Sequence, residues 1–217
     1  SEMCIRDRGK LLPLLKKYNL EATLHFYDEA DFGSYDEVVD AYLVLLKRYA
    51  SLGKGYIRML NIHNIAGPVV TISGVKNYIY EKEYSQYRTR LIANLKKAER
   101  ICRDNHIRMV IENTTVAKYM AKTYADLFAA GFRFTYDIGH DDNDHDMLWN
   151  ILQDLPLKFD EFHIHDGNRK TCHLALGEGS IDIKKFKRLA EENDAYVVLE
   201  VKQKRDLVLS VPYFRAL

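Results

Sequence analysis

The stretch FDEFHIHD, residues 159–166, has the alternation of a β-strand with one apolar and one polar face. Phe162 and Ile164 point to one side of such a strand and His165 to the other, because successive side chains alternate between faces. Five further β-branched or aromatic runs share this character, and longer segments of helical period separate them. They are EATLHFY (21–27), YIRMLNIHN (56–64), IRMVIENT (107–114), FRFTYDIGH (132–140) and AYVVLEVK (195–202).

This alternation predicts an α/β fold of repeated βα units around a parallel sheet. We interpret it as a (β/α)8 TIM barrel that is N-terminally truncated, with at least one strand missing, because a helix comes first and six strands are visible. An open sheet is the alternative. The segment 65–81 is long for a connection and is expected to be functional or locally structured. Helices are expected at about 10–18, 35–51, 83–105, 115–130, 144–154, 182–193 and 203–216.

Two residues mark helix ends in this pattern. Asp182 is placed to cap the start of the helix at 182–193, since its side chain can accept a hydrogen bond from a free backbone N–H. Gly131 follows the helix predicted over 115–130, at a position where glycine supplies the left-handed conformation that ends many helices.

Composition narrows the class of protein. The 217 residues include 32 Lys and Arg against 31 Asp and Glu, so no overall field attracts nucleic acid or an anionic membrane. No apolar run approaches the roughly 20 residues that cross a bilayer. Cys4, Cys102 and Cys172 form no CxxC pair, which favours reduced thiols and a cytoplasmic protein. Residues 1–8 are interpreted as a non-native lead and residues 9–217 as a single, incomplete TIM-barrel-like domain.

In each of the six strands one particular ionisable side chain lies near the C-terminal end, on the face opposite the apolar residues that flank it. In a βα barrel the apolar set faces the helices, so the polar set points to the axis at the rim where barrel enzymes build their sites. Oxygen and imidazole donors together suit one divalent cation, Mn²⁺, Mg²⁺, Co²⁺ or Zn²⁺. The six residues are His25, His63, Glu112, Asp137, His165 and Glu200.

The motifs VIENT, DIGH, HIHD, HLALGEG and VVLEV resemble, in order and spacing, the xylose isomerase-like barrel superfamily. The likeness is to the sugar phosphate isomerase/epimerase proteins and their relative endonuclease IV, and it covers about residues 20–202. It implies a metal held by Glu112, Asp137, His165 and Glu200, with the two glutamates also serving as acid and base. The implied chemistry, in carbohydrate metabolism, is proton abstraction beside the carbonyl of a sugar, sugar phosphate or related polyol ketone, through an enediolate.

Substrate contacts are expected from His25, His63, His140, Arg169 and His173. His140, one turn past the DIGH aspartate, suits a substrate hydroxyl or a second metal. Arg169 suits a hydroxyl or a phosphate, and a solvated loop cation is an equal alternative for it. The substrate is expected to be a small sugar, and its identity stays open, as does the choice among isomerase, epimerase and dehydratase.

Two further segments are interpreted as structural. Gly177 and Gly179, in GEGSIDI, are expected to be turn residues and not a phosphate loop. The acidic run DDNDHD (141–146) lacks the glycine and the final glutamate of a calcium loop. It is therefore predicted to be a solvated loop that leads into a helix.

Two other functions remain open. The first is an endonuclease IV-like zinc phosphodiesterase on abasic DNA, although Thr171 stands where that family has an aspartate and the near-neutral charge fits DNA poorly. The second is an inactive metal-binding barrel fragment, whose open sheet edge would favour a homo-oligomer. The ligands matching the endonuclease are His25, His63, Glu112, Asp137, His140, His165, His173 and Glu200.

Overall fold

The structure, a computed structural model, describes residues 13–53, 55–114, 117–143, 145–153 and 158–217. Two compact units divide the chain, and the division falls inside one strand, between Ile111 and Glu112. The lead predicted at residues 1–8 lies outside the described residues, and the single-domain assignment stays a prediction.

The first unit contains the parallel strands that were predicted at the start of the chain. Strand β1 pairs with β2 in parallel, with His25 opposite Asn61, and β2 is followed in the sheet by β5. Residues 13–18 are helical (α1). The other elements are β1 (Ala22–His25), α2 (Asp36–Gly53), β2 (Ile57–Asn64), β3 (Val69–Ile72), β4 (Val75–Tyr78), α3 (Ile79–Lys82), α4 (Tyr84–Asp104) and β5 (Arg108–Asn113), which runs across the boundary.

The long segment at 65–81 is expected to be either functional or locally structured, and the structure confirms that it is locally structured. Strands β3 and β4 make an antiparallel hairpin, paired from Val69 with Tyr78 to Ile72 with Val75. The short helix α3 follows and places Tyr80 on Tyr87, with ring centroids 4.3 Å apart. The Tyr80 hydroxyl donates a hydrogen bond of 2.6 Å to the Asp31 carboxylate. This contact ties the end of the hairpin to the loop that follows β1.

The second unit continues the parallel sheet from the end of β5 in the order β5, β6, β7, β8. Strands β6 and β7 pair in parallel, as do β7 and β8. The outer face of these strands packs on aromatic side chains, with the rings of Tyr136, Phe162 and Phe186 in contact. Its elements are α5 (Lys118–Ala129), β6 (Phe134–Asp137), α6 (Ile138–Asn143), α7 (Trp149–Leu152), β7 (Phe159–Ile164), α8 (Ile183–Asn193), β8 (Tyr196–Leu199) and α9 (Lys204–Ala216).

Six parallel-sheet strands therefore occur where the sequence predicts them, and the α/β assignment is confirmed. Both predicted helix ends are confirmed as well. The Asp182 carboxylate accepts a hydrogen bond of 3.0 Å from the Lys185 N–H, and Gly131 has a φ of +84° after the end of α5. In the described ranges, no helix combines the length and the apolar character that crossing a bilayer requires.

The segment after β6 differs from its prediction. The strand predicted over 132–140 ends at Asp137, and a short helix, α6, begins at the next residue. The helix starts here because the Asp137 carboxylate accepts hydrogen bonds from the N–H groups of Gly139 and His140, as a capping side chain does. The helix predicted over 144–154 is limited to Trp149–Leu152 within the described residues.

The prediction of a solvated loop that leads into a helix is wrong for residues 141–143, which lie in α6, whereas His145 and Asp146 lie in a turn that precedes α7. Asp141 is fully buried and Asp142 nearly so. The Asp141 carboxylate accepts hydrogen bonds from the Tyr136 hydroxyl at 2.6 Å and from the N–H groups of Leu148 and Trp149 at 2.8 and 2.7 Å. Burial of this acid is possible because three donors satisfy it.

We expect Asp182→Ala to lower the free energy of unfolding by about 1 kcal/mol, because the first turn of α8 loses the acceptor for the Lys185 N–H. Urea unfolding followed by circular dichroism measures the change. Lys184→Ala, an exposed substitution in the same turn, is the matched control and should leave stability nearly unchanged. Equal losses in the two variants would show that the cap contributes nothing.

Candidate metal centre

Four side chains at neighbouring strand ends of the second unit bring one ligand atom each to a common place. All four atoms lie within 4.8 Å of one another. The register explains the convergence, since Asp137 at the end of β6 pairs with His163 of β7, and the Glu200 N–H donates to the Ile164 carbonyl at 3.0 Å. The carboxyl ends of parallel strands meet at one edge of a sheet. The four are Glu112, Asp137, His163 and Glu200.

His163 is the centre of this group. Its Nδ1 lies 3.2 Å from Glu112 Oε1 and 3.1 Å from Glu200 Oε2, and its Nε2 lies 2.8 Å from Glu161 Oε1. Burial lowers the pKa of His163, but the neighbouring carboxylates of Glu112, Glu161 and Glu200 outweigh burial and hold that pKa well above its ordinary value. The ring therefore lies where positive charge is strongly favoured.

The Asp137 carboxylate is held by its first oxygen and leaves its second oxygen facing the group. Oδ1 accepts from the N–H groups of Gly139 at 2.9 Å and His140 at 2.7 Å, and lies 3.1 Å from His165 Nε2. Burial raises the pKa of Asp137, but the hydrogen bond from His165 and the charges of His140 and His165 outweigh burial, so the pKa is lowered. Oδ2 is buried with no hydrogen bond.

The donor set fits a divalent cation. Glu200 Oε2, like Asp137 Oδ2, is buried with no hydrogen bond, and a buried carboxylate oxygen is costly unless a hydrogen bond or a cation satisfies it. Three carboxylates and one imidazole are ligands that Mn²⁺, Co²⁺, Zn²⁺ and Mg²⁺ accept to different degrees. Glu112 is almost fully buried, whereas the Glu200 side chain is 39% exposed.

The imidazole in this group is His163, whereas the resemblance placed His165 there. His165 lies behind Asp137: its Nε2 faces Asp137 Oδ1, and its Nδ1 accepts the His173 backbone N–H at 2.8 Å. Sequence reasoning missed His163. The period of two places it on the same face of β7 as His165, two residues nearer the strand interior, so strand alternation offers both histidines as candidates without choosing between them.

His140, His165 and His173 form a second group of imidazoles beside the first. His140 Nδ1 lies 3.0 Å from the Asn113 carbonyl and His173 Nδ1 lies 2.9 Å from the Glu200 carbonyl, so each ring donates from Nδ1, and the neutral form of each ring has its lone pair on Nε2. Burial and the neighbouring His165 lower the pKa of His173. His165, His173 and Glu200 also offer ligand atoms within 4.8 Å of one another.

Arg169 lies in the loop after β7, where its backbone N–H and its guanidinium each contact an aspartate. Its backbone has a φ of +64°, and its N–H donates to Asp142 Oδ2 at 2.9 Å. The guanidinium lies 3.4 Å from Asp146 Oδ2. A hydroxyl or phosphate contact from Arg169 stays a prediction.

The rest of this loop is organised by the buried Asp166. Its carboxylate accepts hydrogen bonds from the N–H groups of Gly167, Gly177 and Ile181. Gly177 has a φ of +91°, and a Cβ on Gly179 would overlap the Gly167 backbone. The prediction of a turn residue is confirmed for Gly177, whereas Gly179 lies at a bend where the Gly167 backbone approaches closely.

His25 and His63 belong to the first unit and contact each other there. Their ring centroids are 4.3 Å apart in an edge-to-face arrangement. His25 Nδ1 lies 2.9 Å from the Phe26 carbonyl and 3.1 Å from Asp28 Oδ1. Their predicted contact with substrate is not tested by these distances and stays a prediction.

A parallel α/β fold with side chains at the strand ends that could hold a metal is typical of a class of barrel proteins, and comparison with known proteins agrees on the fold. Residues 6–216 match the family described as xylose isomerase-like TIM barrel, and the chain belongs to that family. The TIM-barrel assignment made from the sequence is thereby confirmed. No curated protein matches the chain at a significant level.

Three solved structures illustrate the shared fold. A D-tagatose 3-epimerase-like protein is similar with a TM-score of 0.78 and 19% identity, over 97% of this chain and 82% of that one. A 3-keto-D-glucoside 4-epimerase from E. coli has a TM-score of 0.69 and 11% identity, over 99% and 86% of the two chains. A sugar phosphate isomerase/epimerase from Parabacteroides distasonis has a TM-score of 0.67 and 12% identity, over 95% and 74%.

We expect Gly139→Ala to weaken Mn²⁺ binding at least about tenfold, because the candidate ligand Asp137 loses its supporting contact with His165. An added Cβ would overlap the His165 ring, which cannot turn away without leaving Asp137 Oδ1 and the His173 N–H. The dissociation constant is measured from the electron paramagnetic resonance signal of free Mn²⁺.

Gly131→Ala is the control for this substitution. Its φ of +84° makes alanine strained, and nothing lies within 4 Å of the added Cβ. It should therefore cost about 1 kcal/mol of stability with unchanged Mn²⁺ affinity. Normal Mn²⁺ binding by folded Gly139→Ala would contradict the expected role of the His165 contact.

Proposed function

We propose that this protein is a divalent-metal-dependent isomerase or epimerase that acts on a sugar, a sugar phosphate or a related polyol ketone. The observation that carries the proposal is the group Glu112, Asp137, His163 and Glu200, in which two buried carboxylate oxygens lack a hydrogen bond. The solved structures that share its fold include proteins named as sugar epimerases, which supports a small sugar as the substrate.

We propose that one divalent cation, Mn²⁺, Mg²⁺, Co²⁺ or Zn²⁺, is held by these four side chains. His163 replaces His165 in the set first expected, because Nδ1 of His163 faces Glu112 and Glu200, while His165 is committed to Asp137 and the His173 N–H. When bound, such a cation stabilises negative charge that develops on the oxygen of a substrate carbonyl.

Glu112 and Glu200 are the proposed acid and base. Glu112 lies in β5 and Glu200 directly follows β8, so the two carboxylates reach a substrate from different directions. One carboxylate removes the proton from the carbon beside the carbonyl, which leaves an enediolate. The other returns a proton to the opposite face in an epimerisation, or to the adjacent carbon in an isomerisation.

His140 and His173 are proposed to orient substrate hydroxyls. Each ring is fixed by the backbone carbonyl that its Nδ1 contacts, so its Nε2 is presented in a defined direction as a hydrogen-bond acceptor. The pKa of His173 is lowered, which keeps this ring neutral and able to accept. His25, His63 and Arg169 stay predicted substrate residues.

A zinc phosphodiesterase acting on abasic DNA is the second candidate. The observation that favours it is the second ligand group of His165, His173 and Glu200, which shares Glu200 with the first. The formal charge of +1 argues against strong DNA binding. Metal analysis discriminates, since several tightly bound zinc ions with cleavage of abasic duplex would favour this candidate over the isomerase.

We expect Glu112→Gln and Glu200→Gln each to lower turnover by about a thousandfold, because an amide can neither take nor return the proton. The assay follows deuterium uptake from solvent into a panel of ketoses and ketose phosphates by proton NMR. Circular dichroism checks that the variants fold. Glu191→Gln, an exposed substitution in α8, should retain full activity. Substantial turnover by either site variant would refute the acid/base assignment.

A further inference from the structure

We propose that Glu161 is a positioning residue that holds His163 with its proton on Nε2 and its Nδ1 lone pair aimed at the metal. The inference rests on the proposed metal site and concerns a carboxylate that the acid/base chemistry does not use. Glu161 is fully buried in β7, two residues before His163 and on the same face. Its Oε1 lies 2.8 Å from His163 Nε2.

The chemistry of the pair determines which nitrogen is the ligand. A neutral imidazole has one N–H and one lone pair, and a metal takes the lone pair. Glu161, as a carboxylate, only accepts, so the ring must donate from Nε2. The remaining nitrogen, Nδ1, is the atom that lies 3.2 Å from Glu112 Oε1 and 3.1 Å from Glu200 Oε2. Orientation and tautomer are therefore set by one contact.

Structural stability does not account for this carboxylate. Its second oxygen, Oε2, is buried with no hydrogen bond, and a buried carboxylate with an unsatisfied oxygen is costly unless positive charge lies beside it. Among the described residues, the only polar partner of the Glu161 side chain is the His163 ring. The burial is compensated when that ring binds a cation through Nδ1.

The neighbouring acid on the same strand shows what a structural carboxylate looks like here. Asp160 is nearly fully buried and points to the opposite face of β7. The Arg133 guanidinium binds both of its oxygens. Asp160 and Glu161 are thus adjacent buried acids of the same strand, one satisfied by a permanent cation and one directed at the metal group.

This contrast supplies a matched experiment on the full chain. Glu161→Leu removes the acceptor, Glu161→Gln keeps an acceptor but removes the charge, and Asp160→Asn removes a buried carboxylate from the other face. The measurements are the Mn²⁺ dissociation constant, the visible absorption spectrum of bound Co²⁺, and the midpoint of urea unfolding.

We expect Mn²⁺ affinity to fall up to about 100-fold in Glu161→Leu and about tenfold in Glu161→Gln, the range for loss of a partner that orients a metal ligand. The Co²⁺ bands should shift in Glu161→Leu and largely recover in Glu161→Gln. Asp160→Asn should lower the urea midpoint and leave both the Mn²⁺ affinity and the Co²⁺ spectrum unchanged.

Two results would overturn the inference. One is Mn²⁺ affinity in both Glu161 variants within about twofold of the unsubstituted chain, against the loss expected for such a partner; if Glu161→Leu does not fold, Glu161→Gln alone decides. The other is an unsubstituted chain that binds neither Mn²⁺ nor Co²⁺, which also removes the metal-dependent function. Weakened metal binding in the Glu161 variants, with no ketose turned over by the unsubstituted chain, would support Glu161 and refute only the proposed reaction.

Discussion

The second unit gathers Glu112, Asp137 and Glu200 around one imidazole, and this concentration of negative charge is the constraint that the rest of the site obeys. Like charges a few ångströms apart in a partly desolvated place repel strongly. Two features of the protein reduce this repulsion. The His163 ring, which carries positive charge readily, lies beside Glu112 and Glu200, and backbone N–H groups donate hydrogen bonds to the Asp137 carboxylate. A divalent cation would meet the same demand with more charge, which is why the group is interpreted as a metal centre.

The candidate ligand Asp137 is held in place by neighbouring residues that no sequence pattern marks as part of a site. Gly139 leaves space for the His165 ring, and that ring in turn contacts Asp137. The His173 backbone N–H holds His165 from the other side, while Asp166 fastens the loop that carries His173. The site is thus built in layers, and the outer layer uses glycines and loop amides more than charged side chains.

The sequence predicts the strands well and the connections less well, for a physical reason. A strand with one buried face repeats every two residues, so EATLHFY and FDEFHIHD are visible without knowledge of their neighbours. The helix α6 depends on hydrogen bonds from Gly139 and His140 to the Asp137 side chain. Burial of Asp141 likewise depends on donors outside its own run, Tyr136 among them. These are hydrogen bonds from individual side chains to particular backbone or side-chain groups nearby in the chain, and a hydrophobic period does not contain them.

The candidate site shows the same division at the level of single residues. Glu112, Asp137 and Glu200 lie together as strand alternation and the resemblance suggest. The choice between His163 and His165 was beyond the pattern, because both lie on one face of β7 and only depth along the strand separates them.

The unequal exposure of the two proposed proton carriers has a kinetic meaning. The Glu200 side chain is 39% exposed to solvent, whereas the Glu112 side chain is almost fully buried. A proton that reaches Glu200 trades rapidly with the bulk, whereas one that reaches Glu112 stays until the product leaves. Under the proposed chemistry, deuterium from the solvent would therefore enter one epimer faster than the other. The rate of solvent exchange would depend on which epimer is the starting substrate.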